Sequence, residues 1–201
     1  MTDSGMRIFL ALGALAITAV GANAQNGTAA KQRIAASIDA KYAHYTRIAD
    51  QIWNFAEVGY HETHSSALLQ SELQKAGFKV QGGVAGIPTA FVAEYGSGSP
   101  VIGILAEFDA LPGLSQTVSP ERSPIAGKEA GHACGHHLFG TGSVAAAIAV
   151  REWMQSNGRT GTIRVYGTPA EEGGGGKIYM VRAGLFRDAD VVLDWHAGAA
   201  N

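Results

Sequence analysis

The chain has 201 residues, 46% of them hydrophobic and 16% charged, with one cysteine and a formal net charge of −2. That is enough apolar material for one sizeable core, and it argues against a nucleic-acid partner, which calls for a basic face. A single cysteine excludes an intramolecular disulfide framework and leaves Cys134 as a small buried hydrophobe, a reactive thiol or a metal ligand.

In chain order, the first feature is a targeting segment. Met6-Arg7 precedes an apolar run from Ile8 to Val20 and the A-x-A pattern Ala22-Asn23-Ala24. The run is short for a bilayer span and sits where a secretory hydrophobic region belongs. Residues 1–24 are read as a signal peptide cleaved before Gln25, giving a periplasmic or secreted product with no membrane association. An uncleaved anchor is the alternative.

Ile34, Ile38, Tyr42, Tyr45, Ile48, Ile52 and Phe55 recur every three or four residues, which predicts one long helix over Lys31 to Phe55. A second helix is expected from Ser65 to Ala76, with Leu68, Leu69 and Leu73 inward and Gly77 closing it. Phe78-Lys79-Val80 opens a strand. Thr89 to Tyr95 and Val101 to Ala106 read as two more, joined by the Gly-Ser-Gly-Ser-Pro turn at 96–100.

Val101 to Ala106 is almost continuously apolar, the pattern of a strand covered on both faces. It ends in Glu107-Phe108-Asp109, where open α/β sheets place their ligands. The polar stretch that follows, with Pro120 and Pro124, is too long for a simple connector. After it come a helix over 138–155, a strand over 162–166, a helix over 177–183 and a strand over 190–195. This order is α/β with a largely parallel sheet.

Three clusters carry chemistry. In Gly131-His132-Ala133-Cys134-Gly135-His136-His137, alternate residues Cys134 and His136 can point to one side of an extended segment and share a metal such as zinc. Alone, that pattern also fits a helix cap. Glu171-Glu172 follows a strand and precedes four glycines; one carboxylate can bind a metal while its neighbour faces water, or the pair can be a solvated helix start. His196 follows the apolar strand Val191-Val192-Leu193 and is either a ligand or a surface residue. Together the clusters put Cys, His, Glu and His at one sheet edge, and a carboxylate beside a metal can take a proton from water.

These motifs resemble the metal-dependent amidohydrolase and peptidase family that includes aminoacylases, hippurate hydrolase and auxin-conjugate hydrolases. The similarity runs from about Tyr45 to Asn201, through Gln51-Ile52-Trp53, Gly86 to Phe91, Ala106 to Gln116, Gly131 to His136, Glu171-Glu172-Gly173 and Trp195-His196. Asp109 to Gln116 looks most like the p-aminobenzoyl-glutamate hydrolase branch. The resemblance implies a three-layer α/β sandwich around a mostly parallel mixed sheet, a zinc-peptidase-like catalytic domain. It implies two divalent ions, zinc or manganese, held by Cys134, His136, Glu172 and His196. Glu171 would be the general base, and Asp109 would support the centre from behind.

The substrate class implied is a small amide, an N-acyl amino acid or p-aminobenzoyl-glutamate. Glu107 stands where much of the family has Asp, and His137 replaces a usual Asp or Asn. Family members are longer, with a lid and dimerisation domain and a further ligand histidine. Residues 25–201 are accordingly expected to be the N-terminal part of a catalytic domain, poorly active alone, whose complete form is a homo-oligomer. Two other readings stay open: a non-catalytic metal-binding or interaction module, and a Cys134-His thiol protease, which leaves Glu171-Glu172 and His196 unused.

Overall fold

A computed structural model describes residues 27–196. The expected signal segment, residues 1–24, lies outside them. The chain divides into two units, the first ending at Ala40; its described part is helical over 27–39 (α1). Among the described residues no helix is long and apolar enough to cross a membrane.

The single helix expected over 31–55 is two. Lys41 leaves helical geometry (φ −109°, ψ 13°), and a new helix, α2, runs over Tyr42–Phe55. The apolar spacing continues across the break, but Tyr42 is 73% exposed; burial starts at Tyr45 and continues through Ile48, Ala49 and Ile52. A second helix, α3, spans Thr63–Lys75 and buries Leu69 and Leu73. Its first N–H groups are satisfied from outside the helix: Glu57 accepts from the backbone of His64 (2.9 Å) and Ser65 (2.8 Å). A carboxylate at that end also suits the helix dipole.

Strands β1 (Lys79–Gly82), β2 (Phe91–Ser97) and β3 (Val101–Ala106) follow. The β2 strand starts two residues later than expected, because 87–90 form a turn closed by Ala90 N–H donating to Ile87 O. A small ribbon, β4 (Leu111–Pro112) with β5 (Ala130–Gly131), closes the polar stretch between them. Helix α4 (His136–Ser156), β6 (Gly161–Gly167), helix α5 (Gly176–Arg182) and β7 (Val191–Leu193) complete the order.

The main sheet runs β1-β2-β6-β3-β7. The β3 strand pairs in parallel with β6 and β7, while β2 is antiparallel to both β1 and β6, so β2 alone is reversed. The expected mostly parallel mixed sheet is therefore present. Strand alternation divides its two faces. Tyr95 pairs with Ile163 and carries Arg151 of α4 over its ring, whereas Tyr166 points the other way into a core with Val84, Ile87, Ala90 and Met180 of α5. Helices thus cover both faces, in three layers.

Close approach of α4 to β3 fixes the relation between the strand end and the helix start. A Cβ on Gly140 would stand 2.6 Å from the Glu107 carbonyl oxygen and 3.0 Å from Leu69. Alanine is the better helix former by about 1 kcal/mol, but here its methyl meets backbone. Gly140→Ala is expected to destabilise the fold by about 1–3 kcal/mol, read as a lower urea midpoint. A midpoint that rises would show that α4 is not seated this tightly.

Candidate metal centre

The parallel strands β3, β6 and β7 deliver their following residues to one edge. Glu107, Phe108 and Asp109 continue from β3 and are 5%, 0% and 1% exposed. Thr168 N–H donates to Ala106 O (2.8 Å), which holds the two strand ends together before Pro169-Ala170 leads into Glu171-Glu172. Cys134 lies in a bend, not the extended segment expected, and Gly135, at φ 93°, turns that bend into α4, whose first residue is His136. His196 arrives three residues past β7.

All the expected ligands meet there. Cys134 Sγ lies 3.1 Å from His196 Nε2, and Cys134, His136 and His196 each offer a donor atom within 4.8 Å of the others. The His136 Nε2 atom is 3.8 Å from Glu171 Oε2 and 3.8 Å from Glu172 Oε1. His136 Nε2 and Glu172 Oε1 are buried without a hydrogen-bond partner. Buried polar atoms normally find one, so two unpaired acceptors facing a thiol and a second imidazole fit a bound divalent ion.

Asp109 holds two of these groups. Its Oδ1 accepts from His136 Nδ1–H (2.9 Å) and its Oδ2 accepts from Glu172 N–H (2.9 Å). Donation from Nδ1 leaves the Nε2 lone pair of His136 for a metal. Burial opposes the Asp109 charge, but the hydrogen bonds from His136 and Glu172 outweigh it and hold the carboxyl below the ordinary range. His136 is the mirror case: burial would lower it, and the Asp109 hydrogen bond with the Asp109, Glu107 and Glu172 charges raises it.

A second buried carboxylate sets the glutamate pair from the other side. Glu62, 0% exposed, accepts from Ala170 N–H (2.8 Å) and from the Thr89 hydroxyl (2.9 Å). Ala170 has φ 56°, so this bond secures a left-handed residue directly before Glu171. The glycine run packs rather than dangles. A Cβ on Gly174 would meet Tyr60 at 2.4 Å, and one on Gly176 would meet the Pro169 carbonyl at 2.1 Å.

The thiol is not built as a nucleophile. Burial first, then hydrogen bonding to Glu172 and the charges of Glu172, Glu171 and Glu107, push Cys134 up to about 11. A nucleophilic cysteine needs the opposite shift.

The other two histidines of the segment belong elsewhere. His132 donates to Ile52 O (3.0 Å), and His137 packs edge-on to Trp53 with ring centroids 4.9 Å apart. Burial lowers both to about 4. Three contributors were given no role at the centre by the sequence. Glu107 sits 3.1 Å from His136 Nε2, Lys177 pairs with Glu107, and Glu62 braces Ala170. Only Glu107 carried a signal, as a carboxylate ending an apolar strand.

Residues 103–201 match the model of peptidase family M20/M25/M40. The chain is 49% identical over 164 residues to a p-aminobenzoyl-glutamate hydrolase polypeptide of Escherichia coli, covering 81% of this chain and 34% of that protein. It is 30% identical over 154 residues to the hippurate hydrolase of Campylobacter jejuni, covering 76% of this chain and 39% of the relative. The chain thus spans little more than a third of the length of these curated relatives. A solved Bacillus subtilis protein, YXEP, described as a dinuclear metal binding peptidase, superposes with a TM-score of 0.59 at 25% identity, covering 78% of this chain and 44% of that one.

Asp109→Asn should separate the brace from the ligands. The amide has one acceptor oxygen for two donors, so either His136 Nδ1–H or Glu172 N–H loses its acceptor. Divalent-metal binding measured by calorimetric titration is expected to weaken about 10- to 100-fold in a protein that keeps its circular dichroism spectrum. Unchanged affinity would remove Asp109 from the centre.

Proposed function

The chain belongs to the M20/M25/M40 peptidase family, and from that premise we propose that it carries the metal centre of an amide-bond hydrolase. Its substrates are N-acyl amino acids or p-aminobenzoyl-glutamate. The observation that carries this reading is the pair of unpartnered buried acceptors, His136 Nε2 and Glu172 Oε1, beside Cys134 and His196. The name of the Escherichia coli relative supports the substrate class.

Cys134, His136, Glu172 and His196 would hold two divalent ions, zinc or manganese. Bound there, such ions would supply Lewis acidity to polarise an amide carbonyl and to lower the pKa of water. The remaining work falls to side chains of the chain itself. Glu171 accepts the proton of the attacking water as the O–C bond forms. It then returns that proton to the amide nitrogen as the C–N bond breaks, leaving a carboxylic acid and an amine. Exposure supports this division: the Glu171 side chain is 42% exposed and open to substrate, whereas that of Glu172 is 17% exposed and its backbone is tied to Asp109. Asp109 touches no reacting atom and acts by positioning His136 and Glu172.

The test separates the two glutamates. In the complete enzyme, Glu171→Gln is expected to keep the metal content measured by elemental analysis and to lower turnover of p-aminobenzoyl-glutamate about a hundredfold or more. Glu172→Gln is expected to lose metal. Equal metal loss in both variants would overturn the assignment.

Export is part of the proposal, supported by Arg7, the apolar run and Ala22-Asn23-Ala24. N-terminal sequencing of the mature protein is expected to begin at Gln25; an intact Met1 or Met6 would count against it.

A further inference from the structure

Glu107 is the acid at the centre that the proposed chemistry does not use. It is 5% exposed, and its Oε2 lies 3.1 Å from His136 Nε2. The two atoms are close without hydrogen-bond alignment, since His136 Nε2 has no hydrogen-bond partner. Glu107, His136 and Glu171 each offer a donor atom within 4.8 Å of the others. A carboxylate so placed is near enough to compete for an ion held by His136.

Its other oxygen is engaged. Glu107 Oε1 accepts from Lys177 Nζ, and the Lys177 side chain is 28% exposed. The backbone of Lys177 is held in place. This lysine is the second residue of α5, whose first residue Gly176 is pressed against the Pro169 carbonyl and whose Met180 is fully buried. The lysine therefore rises from a helix locked onto the β6 strand end, next to a carboxylate locked onto the β3 strand end.

We propose that Lys177 is a positioning residue of the metal centre, holding Glu107 as a neutralised neighbour of His136 and keeping that carboxylate from becoming a ligand. The inference rests on the metal-centre reading above. Two consequences follow from charge and geometry. Without the ammonium, Glu107 turns its full charge toward any ion on His136, so affinity rises instead of falling. Because the gain runs through Glu107, it vanishes when Glu107 cannot bind a cation.

The experiment is calorimetric titration of metal-free protein with manganese or zinc, using Lys177→Met, Lys177→Gln, Lys177→Arg, Glu107→Gln and the double variant Glu107→Gln/Lys177→Met. Lys177→Met and Lys177→Gln are expected to bind the metal about tenfold more tightly, and Lys177→Arg to bind as wild type. The double variant is expected to match Glu107→Gln alone. As a second readout, the melting temperature gained on adding metal should be larger in Lys177→Met than in wild type, since a tighter ligand stabilises more. A lysine with a merely structural role would give weaker binding and a smaller gain. Unchanged or weaker binding in both uncharged variants overturns the proposal, as does a gain that survives in the double variant. Absence of binding in the wild type instead overturns the metal centre itself, and this inference with it.

Discussion

Asp109 is 1% exposed, and each of its oxygens is committed to a different stretch of chain: Oδ1 to the first residue of α4, Oδ2 to the backbone after β6. A carboxylate taken out of water costs several kcal/mol unless charge-assisted hydrogen bonds replace its hydration. Here both replacements come from groups that the centre must orient. The imidazole cannot rotate without stripping Oδ1, and the Glu172 peptide cannot shift without stripping Oδ2. The rest of the edge inherits its geometry from this one side chain. The glutamate pair is then fixed twice, by Asp109 from the β3 side and by Glu62 from the α3 side.

Charge explains what this arrangement favours. Glu107, Asp109, Glu171 and Glu172 surround Cys134 and His136, and Lys177 offsets only Glu107. Such a field keeps a thiol protonated and raises an imidazole, and both tendencies reverse when a divalent cation enters. Glu107, Glu171 and Glu172, which together with burial hold the Cys134 thiol up, also make the edge a good cation site. Among the described residues, Cys134 thus sits in acidic surroundings, although His196 Nε2 is 3.1 Å from its sulfur.

Much of this was legible from residue types alone, for a definite reason. Val101 to Ala106 is half-buried to buried and 162–166 largely buried where the two strands pair in parallel, and their apolar runs announce both the strand and its end. The clusters Cys134 to His136, Glu171-Glu172 and His196 stand at those ends, so pattern and position agree. The helix break at Lys41 was not visible because the apolar spacing runs through it, and only the exposure of Tyr42 separates the two pieces. Glu62 and Lys177 were invisible for another reason. Their partners, Ala170 and Glu107, are 108 and 70 residues away, and nothing in local sequence marks a polar residue that will be buried against a distant backbone or charge. His132 and His137 show the converse. They share the residue type and segment of the ligands, and packing against Ile52 and Trp53 removes them from the site.

A short edge pairing of the main sheet carries one of the four proposed ligands. The β7 strand touches β3 through three paired residues, Val191, Val192 and Leu193, and all three are more than a third exposed. Short, solvent-exposed edge pairings open at low free energy, well below global unfolding. His196 rides on that strand, so every transient peeling of β7 carries an imidazole away from Cys134 and His136. Trp195 opposes this by stacking edge-on to Phe139 and donating its indole N–H to Ser143 Oγ (3.1 Å). In the proposed metal centre, metal residence time and amide protection of β7 would thereby be two measures of one equilibrium: an ion bound across His136 and His196 would slow exchange at Val192, and strand opening would set how fast the ion escapes.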